Sequence, residues 1–110
     1  MTETKSSREF LEKILPLRFK PDKAAGIDLI AQLNLKGENG GNWIVTIKDQ
    51  QLHVAQGTHP SPTLTVTIAE RDFLDIINGK STVERAFFTG RIDFKGSMAL
   101  ALKLRDTGIL

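Results

Sequence analysis

From Leu64 to Leu104 the chain runs LTVTIAERDFLDIINGKSTVERAFFTGRIDFKGSMALALKL, and its hydrophobic period changes repeatedly along the way. Leu64, Val66 and Ile68 alternate with Thr65 and Thr67, the period-two pattern of a strand with one face in a core. Phe73, Ile76 and Ile77 then stand at i, i+3 and i+4, which is helical spacing. Glu70 and Asp72 put negative charge in that helix's first turn, where the dipole favours it. Gly79 supplies the stop. Ser81-Thr82-Val83-Glu84 matches a capping box with Ser81 as cap, and predicts a second short helix carrying Val83 and Phe87 one turn apart and closed by Gly90. Ile92 and Phe94 alternate with Arg91, Asp93 and Lys95 to predict a further strand. Gly96-Ser97 opens a last helix from Met98 to Arg105, apolar on nearly every side. Such a helix has to be covered on every side, by protein or by something else. Thr107-Gly108 is expected to end it, leaving Ile109-Leu110 as an apolar tail.

Upstream, the same patterns predict a supporting sheet. Ser7 can cap a first amphipathic helix with Phe10, Leu11, Ile14 and Leu15 at helical spacing, and Pro16 is expected to end it. The turn-rich segment Phe19 to Gly26 leads into Ile27 to Lys36, where Ile27, Leu29, Ala31, Leu33 and Leu35 alternate with mostly polar residues. After Gly37 to Asn42, a second strand carries Trp43, Val45 and Ile47. Lys48-Asp49-Gln50-Gln51 predicts a turn into a strand at Leu52 to Gln56, and the loop Gly57 to Pro62 leads to the strand at Leu64. Four strands so closely spaced favour an antiparallel meander. The predicted class is α+β: a five-stranded, mainly antiparallel sheet with helices over one face.

Composition narrows the function. A chain of 110 residues is expected to form a single domain over residues 1–110. Its 40% hydrophobic and 25% charged content is that of a globular protein. The absence of cysteine removes disulfides, thiol nucleophiles and thiolate metal sites together. No apolar run approaches the roughly 20 residues that span a bilayer, and the polar start is not a signal peptide, so a cytoplasmic location is expected. Net charge is +2, with fifteen Lys and Arg interspersed among thirteen Asp and Glu, which argues against nucleic acid, since that partner wants basic residues on one face.

Few residues invite chemistry. His53 sits on a strand and His59 in a loop beside Pro60, neither with a ligand set at metal spacing, so no metal and no catalytic role is assigned. Glu70, Asp72 and Asp75 are explained by a helix start and its solvent face. The segment Gly90 to Ser97 is no phosphate loop: its lysine precedes the second glycine and the residues between alternate like a strand. Ser81 lacks the setting of a hydrolase nucleophile. Trp43 at a strand start fits a core anchor. Phe87 and Phe88 point about 100° apart on a helix, so both rings pack only if apolar partners lie on two sides. Together with Met98, whose thioether adapts to a core or a cavity alike, they point to a lipid-sized cavity.

The order helix, four strands, two short helices, strand, helix resembles the sterol carrier protein-2 family. The matching features are Gly41-Asn42-Trp43 opening a strand, Asp72-Phe73 leading to Gly79-Lys80, and Ala86-Phe87-Phe88-Thr89-Gly90-Arg91 with Gly96 ahead of the apolar helix. The resemblance runs from about Phe10 to Leu104, and AFFTGRIDFKG is similar to the corresponding segment of the sterol carrier-like domain of peroxisomal multifunctional enzymes. It implies a hydrophobic tunnel between sheet and helices that takes fatty acids, fatty acyl-CoA, phospholipids or sterols, without catalysis and without a cofactor. There are departures. Gly108-Ile109-Leu110 is not a peroxisomal signal of the Ser-Lys-Leu type. The last helix is about one turn shorter than in those relatives. Ala69 stands where a capping Ser or Asp is expected, which weakens that helix start by roughly 1 kcal/mol.

The function expected is therefore non-enzymatic lipid binding or transfer, in a tunnel lined by Phe73, Ile76, Ile77, Phe87, Phe88, Met98 and Leu102 with the sheet as floor. Lys80 and Arg91 are the basic residues placed to meet an anionic headgroup or, more simply, to be solvated. Partners expected are a lipid or acyl ligand and transient contact with a membrane surface, in a monomer or weak homodimer. The alternative is a structural or dimerisation module whose apolar last helix is covered by a partner chain.

Overall fold

In the computed structural model, which describes residues 4–106, the alternating segments form β1 (Leu29–Lys36), β2 (Gly41–Lys48), β3 (Gln51–Gln56), β4 (Leu64–Ala69) and β5 (Ile92–Gly96). They make one five-stranded sheet in the order β3-β2-β1-β4-β5. The β1–β2, β2–β3 and β4–β5 pairs are antiparallel, while β1 and β4 are parallel. The sheet is thus mixed but mostly antiparallel, and the expected meander is corrected at its fourth strand. The first three strands do meander. The β2–β3 connection is a two-residue hairpin whose Asp49 and Gln50 take left-handed φ of 53° and 62°, the twist such turns need.

The segment after β3 then carries the chain back across the sheet, and Gln32 holds it there. Its amide accepts the His59 N–H at 2.8 Å and donates to the Gly57 carbonyl at 3.0 Å, from a side chain that is 3% exposed. Thr63 then closes on β1: its N–H donates to the Ile30 carbonyl at 2.7 Å, and its hydroxyl accepts the Ile30 N–H at 3.0 Å. A period-two pattern says which face a strand buries but not which neighbour it takes.

The register gathers the apolar alternates on one face. Val66 lies between Leu33 and Phe94, Ile68 between Leu35 and Ile92, and Ala31 between Val45 and Leu64. Helices cover that face. The first is α-helical at α1 (Ser7–Glu9), π-helical at Phe10–Ile14 and α-helical again at α2 (Leu15–Arg18). Two expectations are corrected here. Ser6, not Ser7, is the cap, accepting the Glu9 N–H at 3.3 Å, while buried Ser7 donates to Glu70 at 2.9 Å. The helix also continues past Pro16, because the π-helical turn ahead of it, in which the Leu15 N–H reaches back to the Phe10 carbonyl, puts the proline at the start of a new α-helical segment. There its missing N–H costs little. A 3₁₀ turn follows at Pro21–Ala24.

On the far side of β4 come α3 (Glu70–Ile77) and α4 (Val83–Phe88), then α5 (Met98–Asp106) after β5. Ala69 caps α3 without a side-chain bond, as expected. Both α3 and α4 end in a Schellman motif. Gly79 and Gly90, at φ of 80° and 75°, donate to Ile76 and Phe87, and the next residues, Lys80 and Arg91, donate to Asp75 and Ala86. The cap of α4 is Thr82 rather than Ser81, its hydroxyl accepting the Arg85 N–H at 3.0 Å. Lys80 and Ser81 both donate backbone N–H groups to the Asp75 carbonyl, so Ser81 belongs to the end of α3. Ser97 caps α5 by accepting the Leu100 N–H. The expected stop at Thr107-Gly108 and the tail Ile109-Leu110 lie outside the described residues. Among the described residues no helix is long and apolar enough to cross a membrane.

Candidate functional site

Between the apolar face of the sheet and the helices lies a cavity of about 350 Å³. Its floor is built from alternate strand residues: Ala31 and Leu33 of β1, Val45 of β2, Leu64, Val66 and Ile68 of β4, and Ile92 and Phe94 of β5. Phe10, Leu11 and Leu15 of the first helix form one wall; Phe73 and Ile76 of α3 with Val83, Phe87 and Phe88 of α4 form another. Met98, Ala101 and Leu102 bring α5 to the opening.

Exposure grades from the closed end to the rim. Phe73 is 5% exposed and meets Phe10 edge to face, centroids 5.8 Å apart. Phe87 is 44%, Met98 47%, Leu102 52% and Phe88 85% exposed. The Phe87 and Phe88 rings make their own edge-to-face pair at 6.0 Å, so the second ring packs on the first instead of on a core. The last helix is consequently not covered all round: Leu100 packs against the core, and the exposed Met98 and Leu102 face the cavity mouth.

The structure brings Phe73, Ile76, Phe87, Phe88, Met98 and Leu102 to this one cavity. Ile77 is the exception, and its placement is a correction. It does not line the space but packs half-buried against the core, because its position on α3 is turned about 100° from that of Ile76. Phe10, Leu11, Leu15 and Val83 line the cavity beyond the side chains expected from the sequence, which named the sheet as floor without singling out its residues. The signal for the floor was the strand alternation; the signal for the wall was the helical spacing of Phe10, Leu11 and Leu15, whose partner across the space depended on β4 lying beside β1.

Among the described residues only Gln32 and Glu84 interrupt the apolar lining. By strand alternation Gln32 turns its side chain to the other sheet face, where its bonds to Gly57 and His59 occupy it. Neither Lys80 nor Arg91 lines the cavity; Arg91 pairs with Asp72 at 3.2 Å. His59 is a loop residue whose Nδ1 accepts the Ser61 N–H at 2.9 Å, and His53 lies on β3. Among the described residues no group of three or more His, Cys, Asp or Glu could hold a metal ion. A larger hollow of about 570 Å³ lies elsewhere, among Lys36, Glu38, Arg71, Asp75 and Asn78. Polar and charged residues share its walls with Ala69 and Leu74, and none of the expected site residues lies in it.

A model of the SCP-2 sterol transfer family matches residues 11–107. Human sterol carrier protein 2 is 31% identical over a match covering 76% of this chain and 15% of that protein. The curated relatives matched are much longer: the chain spans 20% of peroxisomal multifunctional enzyme A from Dictyostelium discoideum, to which it is 32% identical over 74% of its own length. Among solved structures, sterol carrier protein 2-like 2 from Aedes aegypti superposes with a TM-score of 0.73 at 33% identity, covering 89% of this chain and 93% of that one. The palmitated form of the Aedes protein superposes with a TM-score of 0.64, over 84% of this chain and 89% of that one.

Proposed function

We propose, from the premise that the chain belongs to the SCP-2 sterol transfer family, that it is a non-enzymatic lipid carrier whose ligand lies with its apolar part in the cavity between sheet and helices. The observation that carries this is the lining itself, apolar among the described residues except at Gln32 and Glu84. Phe73 and Ile76 would meet the inner end of an acyl chain; Phe87, Phe88, Met98 and Leu102 would close on its outer part. Each methylene moved from water contributes about 0.8 kcal/mol, so a fatty acid, fatty acyl-CoA, phospholipid or sterol gains affinity mainly through length of apolar contact. The palmitated Aedes relative supports an acyl chain as one ligand. An exposed apolar rim at Phe88 supports transient contact with a membrane surface as the route of loading.

Native mass spectrometry after mild purification, with solvent extraction of the same sample, tests the proposal. Co-purified lipid, displaced by added palmitate with a rise in thermal stability, is the expected result. Empty protein that gains no stability from palmitate, cholesterol or lysophosphatidylcholine would overturn it.

A further inference from the structure

The two ends of the cavity suit different parts of a lipid. At the inner end the buried rings of Phe10 and Phe73 meet edge to face, and a polar group set against them would lose its hydrogen bonds to water. The polar end of a ligand therefore lies at the mouth, where Phe87, Phe88, Met98 and Leu102 are exposed.

Among the described residues the lining holds no Lys, Arg, His, Ser or Thr, and its polar side chains are Gln32 and Glu84. Gln32 is committed elsewhere. Its amide nitrogen donates to Asn34 Oδ1 and to the Gly57 carbonyl, both at 3.0 Å, and its oxygen accepts the His59 N–H. Glu84 is placed to meet a ligand. It is an exposed residue of α4, three and four positions ahead of Phe87 and Phe88, and so stands on the helix face that carries both rings to the mouth.

A carboxylate accepts hydrogen bonds and donates none. Its two oxygens offer about four acceptor sites, so a bond to a protein donor leaves others for a ligand. A fatty-acid anion at this mouth brings one acceptor-only group against another. A hydroxyl or an ammonium group brings a donor, and a hydrogen bond to a charged acceptor is about twice as strong as one between neutral groups. Building on the carrier reading above, we infer that Glu84 selects ligands by their polar end, accepting a hydrogen bond from a lipid headed by a hydroxyl or an ammonium group and disfavouring a free carboxylate. The apolar lining sets affinity by chain length, and Glu84 sets the preference among heads.

Chain-matched ligands test this. Tetradecanol, tetradecylamine and myristate are each used to displace diphenylhexatriene, a fluorophore with no polar head, from the full chain. The alcohol and the amine should compete at concentrations about tenfold lower than myristate, the worth of one hydrogen bond to a charged group. Whichever of the two competes better identifies the head, and either order supports the inference. Glu84→Gln supplies an amide that can donate to a carboxylate, so it should strengthen myristate, weaken the amine and erase the preference. Glu84→Leu should weaken the alcohol and the amine but not myristate. Because Glu84 is exposed, both variants should unfold thermally as the parent does. A preference that persists unchanged in both variants overturns the inference, since it would then reflect only the cost of dehydrating a carboxylate. Equal competition by all three lipids against bound fluorophore overturns it as well and leaves the carrier reading standing. If neither the fluorophore nor any of the lipids binds the parent chain, the carrier reading falls and takes this inference with it.

Discussion

Replacing Val66 by phenylalanine sets the cavity against the core. Val66 lies mid-sheet, half-buried between Leu33 and Phe94, with its side chain in the floor. In a close-packed core the added carbons would cost about 1–3 kcal/mol in strain. Here a space of about 350 Å³ stands open above the residue. A benzyl group carries about four more carbons than an isopropyl group, so the variant buries apolar surface without displacing a neighbour, and the unliganded protein should be as stable as the parent or more stable by about 1 kcal/mol. The same atoms take the room of about three methylenes of a ligand. At about 0.8 kcal/mol each that is roughly 2.4 kcal/mol, a loss in acyl-chain affinity of about 50-fold. Urea unfolding of delipidated protein gives the first quantity, and displacement of a fluorescent fatty acid the second. A variant destabilised by more than about 2 kcal/mol that binds fatty acid like the parent would refute the reasoning, since it would mean that the space above Val66 is neither open nor occupied.

Gln32→Leu keeps the size of the side chain but strips partners from the Gly57 carbonyl and the His59 N–H; it should cost about 3 kcal/mol, read as a urea midpoint lower by about 1.5 M. Thr82→Ala should cost about 1 kcal/mol through the lost cap of α4, and Ser81→Ala less than about 0.5 kcal/mol, a contrast that thermal unfolding of the pair resolves. Phe88→Ala should leave stability within about 0.5 kcal/mol, because the ring is 85% exposed, yet weaken fatty-acid binding in the displacement assay.

What the sequence could disclose divides along the range of the interactions involved. Leu64, Val66, Ile68, Ile92 and Phe94 declared their strands and their buried face because alternation is a property of the backbone alone. Gly79 and Gly90 declared the helix ends because a left-handed residue is a local demand, and both sit in Schellman motifs. The parallel β1–β4 pair was not legible, since it depends on Gln32 meeting residues 25 and 27 positions away. The capping box misled for a related reason. Ser81 satisfies the pattern, but the two bonds to the Asp75 carbonyl extend the end of α3 through Ser81 and push the next helix start on to Thr82.

Pro16 shows how a local rule can be right about its cause and wrong about its outcome. A proline cannot donate and clashes with the carbonyl one turn back, so an ordinary α-helix should stop before it. The turn that precedes it is π-helical, with its backbone bonds reaching one residue further. That widening lets Pro16 begin a fresh segment and leaves Phe10, Leu11 and Leu15, all within 2% of full burial, against the cavity. The irregular turn therefore lies along the wall that faces Phe73, where Phe10 makes its edge-to-face contact. The proline and the closed end of the cavity are thus linked through the same few backbone bonds.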